Sequence, residues 1–245
     1  VIVDSSDSVN SDIQEKYRNF PVNYVFTNKR GAAFQRNLGL GCIDYTIDLV
    51  GILDDDIVLK PKAVEVMLSF WEKSAKDIGG AIFLCENPPK MKTSFIDKLM
   101  YLTYSLKPGS VLKCGYNVSL GPIIQTRQVS WLLGGGTVWR REVFDEYRFD
   151  EWFQGYSYCE DLDFSYRVGK KYKLYTVEGA FFEHYQSPKA RISYAEFSKM
   201  QVVNRYHFIK KDLKYFSLPR FYWMCSVQIL VYMLRGVITF NGKYI

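Results

Sequence analysis

Histidine is scarce in this chain, which has only His184 and His207. A Ser-His-Asp or Cys-His mechanism would have to use one of those two rings, which leaves few such arrangements to consider. Cysteine offers no framework either. The five cysteines (Cys42, Cys85, Cys114, Cys159 and Cys225) are odd in number, widely spaced and without a C-x-x-C pair. That pattern argues against a disulfide scaffold or a zinc site and for a reducing compartment. Neither G-x-x-x-x-G-K-[ST] nor G-x-G-x-x-G occurs, so no glycine loop of those types is available to cradle phosphate. The apolar run Phe221–Leu234, with Arg235 after it, is well short of the roughly 20 residues that a membrane span needs, and reads as an interfacial or packed helix. No signal peptide is visible. The chain opens on Val1-Ile2-Val3-Asp4 rather than on Met, which reads as the middle of a sheet.

What is present fits one full-sized α/β domain with appendages: 245 residues, 48% hydrophobic and 24% charged. Aromatic residues make up 17%. They suit stacking on sugars or bases, and equally a packed core. The net charge of +6 is unevenly placed. Residues 186–245 carry ten Lys/Arg against two Asp/Glu, a balance of +8, whereas residues 1–185 come to −2. A near-neutral body with a basic, aromatic C-terminal segment points to an anionic membrane surface or another polyanion. The body has no basic stripe or nucleic-acid motif, so nucleic acid is not expected as a partner.

The stretch that organises the chain is Val50-Gly51-Ile52-Leu53-Asp54-Asp55-Asp56-Ile57. An apolar run ending in three carboxylates reads as a buried strand of a parallel sheet, and ligands bind at the carboxyl ends of such strands. In extended chain Asp54 and Asp56 would share a face and Asp55 would oppose them. Paired carboxylates repel unless protonated or bridged by a cation, and Mg²⁺ or Mn²⁺ takes such oxygen ligands together with substrate phosphates. The bland reading is a solvated acidic turn.

Strands are predicted at residues 1–4, 22–26, 50–54, 79–84, 129–139, 172–177 and 180–182. Helices are predicted at 12–18, 32–40, 61–75, 95–106 and from a capping box at Ser193-Tyr194-Ala195-Glu196 to Lys211. Alternation at this spacing implies right-handed βαβ units and a mostly parallel sheet. Gly134-Gly135-Gly136 permits close backbone approach to a ligand, or merely a bend. Glu160, Asp161 and Asp163 would favour a helix N-terminus by charge-dipole attraction, which suffices as an account of Asp163.

Taken in order, these pieces resemble the nucleotide-sugar-dependent glycosyltransferases of family 2, with the GT-A fold: a Rossmann-like sheet flanked by helices. The resemblance rests on Val3-Asp4-Ser5-Ser6-Asp7, Asn28-x-x-Gly31 with Ala33-x-x-Arg36-Asn37-x-Gly39, and Leu53-Asp54-Asp55-Asp56. It continues through Gly134-Gly135-Gly136 with Arg140-Arg141-Glu142-Val143-Phe144, then Glu160-Asp161-x-Asp163-x-x-x-Arg167, His184-x-x-Ser187 and Asn204-Arg205-x-x-Phe208. It implies a catalytic domain over residues 1–190, whose first strand would precede Val1, and a helical extension over 191–245. It also implies an inverting transfer from a nucleoside-diphosphate-sugar to a glycan or lipid-linked glycan acceptor, in bacterial-type cell-surface glycan assembly. The processive Q-x-x-R-W pattern is not met, since Gln201 to Tyr206 is one residue too long and ends in Tyr; single addition is expected.

Residue by residue, the resemblance implies Asp161 as general base, with Glu160 as second candidate. Asp4, Ser6, Asn28, Arg36, Asp54, Asp55, Gly135 and Gly136 would contact the nucleotide-sugar. Asp54, Asp56 and His184 would hold Mn²⁺ or Mg²⁺. Trp131, Trp152 and Tyr156 are offered as acceptor platforms, with a core role as the alternative for each. The expected location is cytoplasmic, at the inner face of the plasma membrane. The competing readings are a glycoside hydrolase using the same paired carboxylates, and a non-catalytic membrane-attached module that keeps the fold.

Overall fold

A computed structural model describes residues 1–88, 95–103, 105–121, 123–185 and 193–239. Ser187, the last residue of the His184-x-x-Ser187 pattern, lies outside them. The short apolar runs become strands. β1 (Ile2–Asp4) and β2 (Tyr24–Phe26) pair in parallel, with α1 (Ser11–Lys16) as their crossover. The Asn10 carboxamide accepts the Ile13 N–H to start α1. α2 (Ala32–Leu40) follows, bounded by Gly31 and Gly41 as the glycine spacing predicts.

The remaining strands form one six-stranded sheet in the order β3-β7-β5-β8-β4, with β6 beside β8. They are β3 (Leu49–Ile52), β4 (Ile57–Leu59), β5 (Ile78–Cys85), β6 (Arg127–Val129), β7 (Thr137–Arg140) and β8 (Lys173–His184). The order of elements predicts a mostly parallel sheet, and the pairings observed are mixed. β1–β2 and β5–β8 are parallel, while β3–β7, β5–β7, β4–β8 and β6–β8 are antiparallel. The antiparallel pairings all involve β4, β6 or β7, each of which pairs with a strand distant from it in the chain.

β5 is buried along nearly its whole length, as a central strand covered on both faces should be. On one face α3 (Ala63–Glu72) contributes Ala63, Met67 and Trp71 to a core with Phe83, Val177 and Phe182. On the other, Trp139, Phe144, Phe149 and Phe164 pack together, Phe149 stacking on Phe164 at 4.1 Å and Trp139 meeting it edge-on at 5.0 Å. Burying each ring stabilises by roughly 1.5–3 kcal/mol. Gly80 makes room for Trp139, since a Cβ there would sit 2.4 Å from the indole Cζ3.

Three spans differ from the sequence reading. Residues 129–139 do not make one strand, because the glycine triplet separates β6 from β7. Residues 172–182 do not make two, because Gly179 at φ +83° is accommodated within the continuous β8. Helix α4 (Phe95–Met100) stops well before residue 106, where Leu102 takes a positive φ. After α5 (Val143–Glu146) and α6 (Glu160–Val168), the extension forms α7 (Tyr194–Lys210) and α8 (Leu218–Thr239). The predicted capping box opens α7, with Ser193 Oγ accepting the Glu196 N–H and Glu196 accepting the Ser193 N–H. Phe208, Ile209, Phe216, Phe221 and Met224 share a core with Trp131, Phe153, Cys159 and Leu162. The extension is thus packed into the body beneath α6. Among the described residues no helix is long and apolar enough to cross a membrane.

Candidate active site

The cleft between the β1–β2 pair and the ends of β3 and β7 has a volume of about 2300 Å³. The chain leaves β3 at Ile52 and turns at Asp55-Asp56 before entering β4. This turn overrides the alternation expected of an extended segment, so Asp54 and Asp56 are directed by their partners and not by a shared strand face. Asp54 Oδ1 lies 3.1 Å from Arg36 Nη2. Asp56 Oδ1 lies 3.0 Å from His184 Nε2. Asp55 is exposed at the rim.

The Asp56–His184 contact follows from strand register. β4 and β8 run antiparallel with Ile57 opposite His184, and the Tyr185 N–H donates to the Asp56 carbonyl at 2.8 Å. The contact has the length of an ion pair without hydrogen-bond alignment, so Asp56 Oδ1, buried as an atom, receives no donor among the described residues. A carboxylate oxygen and an imidazole nitrogen converging without a proton aligned between them are disposed as two ligands of one cation. Among the described residues no group of three or more His, Cys, Asp or Glu side chains has metal-holding geometry. A divalent ion at Asp56 and His184 would therefore draw further ligands from phosphate or water, as Mg²⁺ commonly does.

Arg36, on α2, is the hub of the site. Its guanidinium pairs with Asp54 and, through Nη1, with Glu160 Oε1, and its side chain is only 12% exposed. The glycine triplet makes the space for this arrangement. A Cβ on Gly135 would fall 1.9 Å from Asp54 Oδ2, and one on Gly134 would fall 2.5 Å from Arg36 Nη1. Gly136, at φ +127°, donates its N–H to the Ile52 carbonyl at 2.9 Å and so holds the triplet against the end of β3. The Gly134 N–H donates to Asp161 Oδ2 at 3.1 Å, and the Leu162 N–H to Asp161 Oδ1 at 2.7 Å.

Glu160 and Asp161 begin α6, directly after Cys159 in the left-handed region at φ +76°. That backbone costs a non-glycine residue on the order of 1–3 kcal/mol and is held by its surroundings. Burial, reinforced by neighbouring Asp161, pushes the Glu160 carboxyl up to about 8 against the opposing pull of Arg36. Burial also raises Asp161, which Arg36 and the two N–H donors counter in part. Arg36 itself, which burial alone would depress, is raised by Glu160, Asp54 and Asp161. Asp163, which helix capping alone was enough to explain, is buried and paired with Arg167 and Lys211.

Asp4 and Ser6 line the cleft in a closed turn. Asp4 Oδ1 accepts from the Ser6 N–H and hydroxyl at 2.8 and 2.6 Å, and Oδ2 from Tyr24 at 2.6 Å, which hold the carboxyl below its usual value. Asn28 is exposed and does not line the cleft. Of the proposed platforms, Tyr156 stands on the cleft wall, half exposed, edge-on to Phe197. Trp131 is mainly core, its indole N–H donating to the Val118 carbonyl. Trp152 lies outside the lining and stacks on His207 at 3.7 Å. Sequence reasoning named Gly134 within the triplet but gave it no contact of its own. It overlooked Phe197 and Tyr158, which pack on each other in the wall at 5.2 Å and carry no sequence signal beyond their aromatic character.

The profile described as Glycosyl transferase family 2 matches residues 1–148, more than half of the chain. Comparison with curated proteins gives no match. Among solved structures, GalNAc-T7 with UDP, GalNAc and Mn²⁺ aligns with a TM-score of 0.51 and 16% identity, covering 74% of this chain and 36% of that one. S. aureus TarS aligns with a TM-score of 0.51 and 12% identity, covering 96% of this chain and 36% of its own. Its 1–349 form gives 0.48 and 17%, covering 82% and 54%. The chain thus spans about half or less of the length of these proteins, and at such identities the likeness is one of fold, the GT-A fold.

Proposed function

The chain belongs to glycosyl transferase family 2, and on that premise we propose that it moves a sugar from a nucleoside-diphosphate donor to an acceptor hydroxyl with inversion at the anomeric carbon. The observation that carries the reading is the cluster around Arg36. One guanidinium joins the carboxylate after β3 to the carboxylate opening α6, beside a glycine triplet that leaves room for both. Asp4 and Ser6 would meet the nucleotide, while Asp54 and Gly135 would meet the donor sugar and diphosphate.

Asp56 and His184 would hold Mn²⁺ or Mg²⁺, and their converging atoms fit such an ion. When bound, the ion supplies charge stabilisation to the diphosphate oxygens. The structure of GalNAc-T7 contains UDP and Mn²⁺, which agrees with this requirement. Asp161 is the general base. Glu160 is committed to Arg36 and keeps its proton up to about 8, whereas Asp161 keeps lone pairs beyond the two N–H groups it accepts. Removing the acceptor proton on the side opposite the leaving diphosphate gives direct displacement, the geometric reason for inversion. Tyr156 offers a ring face to an acceptor sugar. The acceptor is a glycan or lipid-linked glycan of cell-surface assembly, extended by single additions. Five free thiols suit a cytoplasmic site of action.

The test is a panel of nucleotide-sugars, followed by nucleoside-diphosphate release with and without Mn²⁺. Metal-dependent release from one donor class is expected. Absence of release and of binding with every donor overturns the reading.

A further inference from the structure

The sequence places its basic and aromatic excess in the C-terminal segment; the fold brings a second segment beside it. The Trp223 indole N–H donates to the Leu99 carbonyl at 3.0 Å, and Arg220 Nη1 to the Leu102 carbonyl at 3.2 Å. α4 and the first half of α8 are therefore neighbours, and what each exposes is contiguous. Phe95 and Leu99, one turn apart on α4, are 81% and 47% exposed. Along α8, Trp223, Leu230 and Leu234 recur at helical spacing and are about half exposed, while Phe221 and Met224 anchor the helix in the core. The result is an apolar strip running from one helix onto the other.

Cations border the strip. Lys98 is on α4, and Lys107 and Lys113 follow it; Lys214 and Arg220 flank the start of α8. The Lys113 carbonyl accepts the Ser217 N–H at 2.8 Å, which brings these two segments together. No ion pair among the described residues involves any of the five. The acidic residues nearby, Asp97 and Asp212, are both engaged, the latter by Lys170 and Tyr166. We propose that α4 and the exposed length of α8 form one docking face for an anionic bilayer, with Phe95, Leu99, Trp223 and Leu230 entering the interface and the five cations facing lipid headgroups. Tryptophan settles at such interfaces, and basic side chains are drawn to the negative surface. A second copy is the poorer occupant, because a two-fold contact would set this cationic border against its own image. The inference rests on surface residues alone and does not depend on the sugar-transfer reading.

Co-sedimentation of the full chain with phosphatidylcholine vesicles, and with phosphatidylcholine–phosphatidylglycerol vesicles, tests it. Binding to the anionic vesicles alone, weakening as salt rises, is expected. Phe95→Glu, at an exposed position outside the cleft lining, should abolish binding without moving the melting temperature. Lys113→Glu with Lys214→Glu should weaken it by at least about fivefold for each cation removed. Donor turnover in solution should be unchanged in these variants, so a failure here is separable from a failure of the proposed reaction. The proposal is overturned by no binding at low salt, by binding indifferent to lipid charge, or by binding that survives Phe95→Glu. A dimer in light scattering that Phe95→Glu converts to monomer also overturns it, in favour of a second copy.

Discussion

Two side chains carry the residue-scale argument, Asp56 and Asp161. Asp56 Oδ1 faces His184 without a donor, so Asp56→Asn should abolish the Mn²⁺-dependent part of nucleotide affinity and leave the fold intact. Calorimetry with and without Mn²⁺ checks this, and unchanged affinity counts against the site. Asp161→Asn should keep donor binding and lose roughly 10²–10⁴-fold in kcat, the usual worth of a positioned base. Transfer that survives Asp161→Asn and dies in Glu160→Gln would reverse the assignment. The pH dependence has a definite sign. Burial raises Asp161, so the acid limb of kcat should lie above the ordinary carboxylate range. Arg36 opposes that rise, so Arg36→Gln should move the limb to still higher pH. Stability carries a second signature. From the ordinary glutamate value up to about 8, the folded chain keeps a proton on Glu160 that the unfolded chain has released. Stability should therefore fall as pH rises through that window, and Glu160→Gln should flatten the fall in denaturant titrations. The sequence made these residues legible as types, because carboxylates after an apolar run and an acidic pair opening a helix are local patterns. It did not show who partners whom. The Asp54/Asp56 shared face assumed extended chain where β3 has already ended, and Trp131 could not be told from a core tryptophan because its role depends on distant neighbours.

At the scale of elements, the glycine triplet and the central strand are sensitive to a single methyl. Gly135→Ala would push Asp54 off Arg36, because the new Cβ would overlap the carboxylate. The expected result is a loss of donor affinity larger than any loss of melting temperature, measured on the same preparation. Gly80→Ala, where the Cβ would meet the Trp139 ring, should do the reverse and destabilise by about 1–3 kcal/mol through overpacking, with site chemistry preserved in the folded fraction. Chemical denaturation and donor binding separate the two cases. Element existence was largely readable from apolar runs, glycine stops and the Ser193–Glu196 box, which are local signals. Strand direction was not, because the antiparallel entry of β7 between β3 and β5 is decided by pairings across the whole sheet. The length of β8 escaped for a related reason: Gly179 reads as a break until the neighbouring strands hold it in line.

At the scale of the molecule, the sequence division at residue 190 does not describe how the core is built. α7 and α8 share buried contacts with Trp131, Cys159 and Leu162 beneath α6. We expect one cooperative unfolding transition, coincident by tryptophan fluorescence and far-UV circular dichroism, and a chain cut after residue 190 that fails to bind donor. Two separated transitions would show the extension to be independent. The Arg36–Glu160 pair has a consequence of another kind. Its members stand 124 positions apart in the sequence, and Arg36, Asp54, Gly134, Glu160 and His184 are each supplied by a different segment. Closing loops of that size is entropically costly before any contact rewards it, and chains dominated by distant pairings fold slowly. Helical signal should therefore return early in refolding and nucleotide binding only with the last phase, which makes the cleft a clock for completion of the fold.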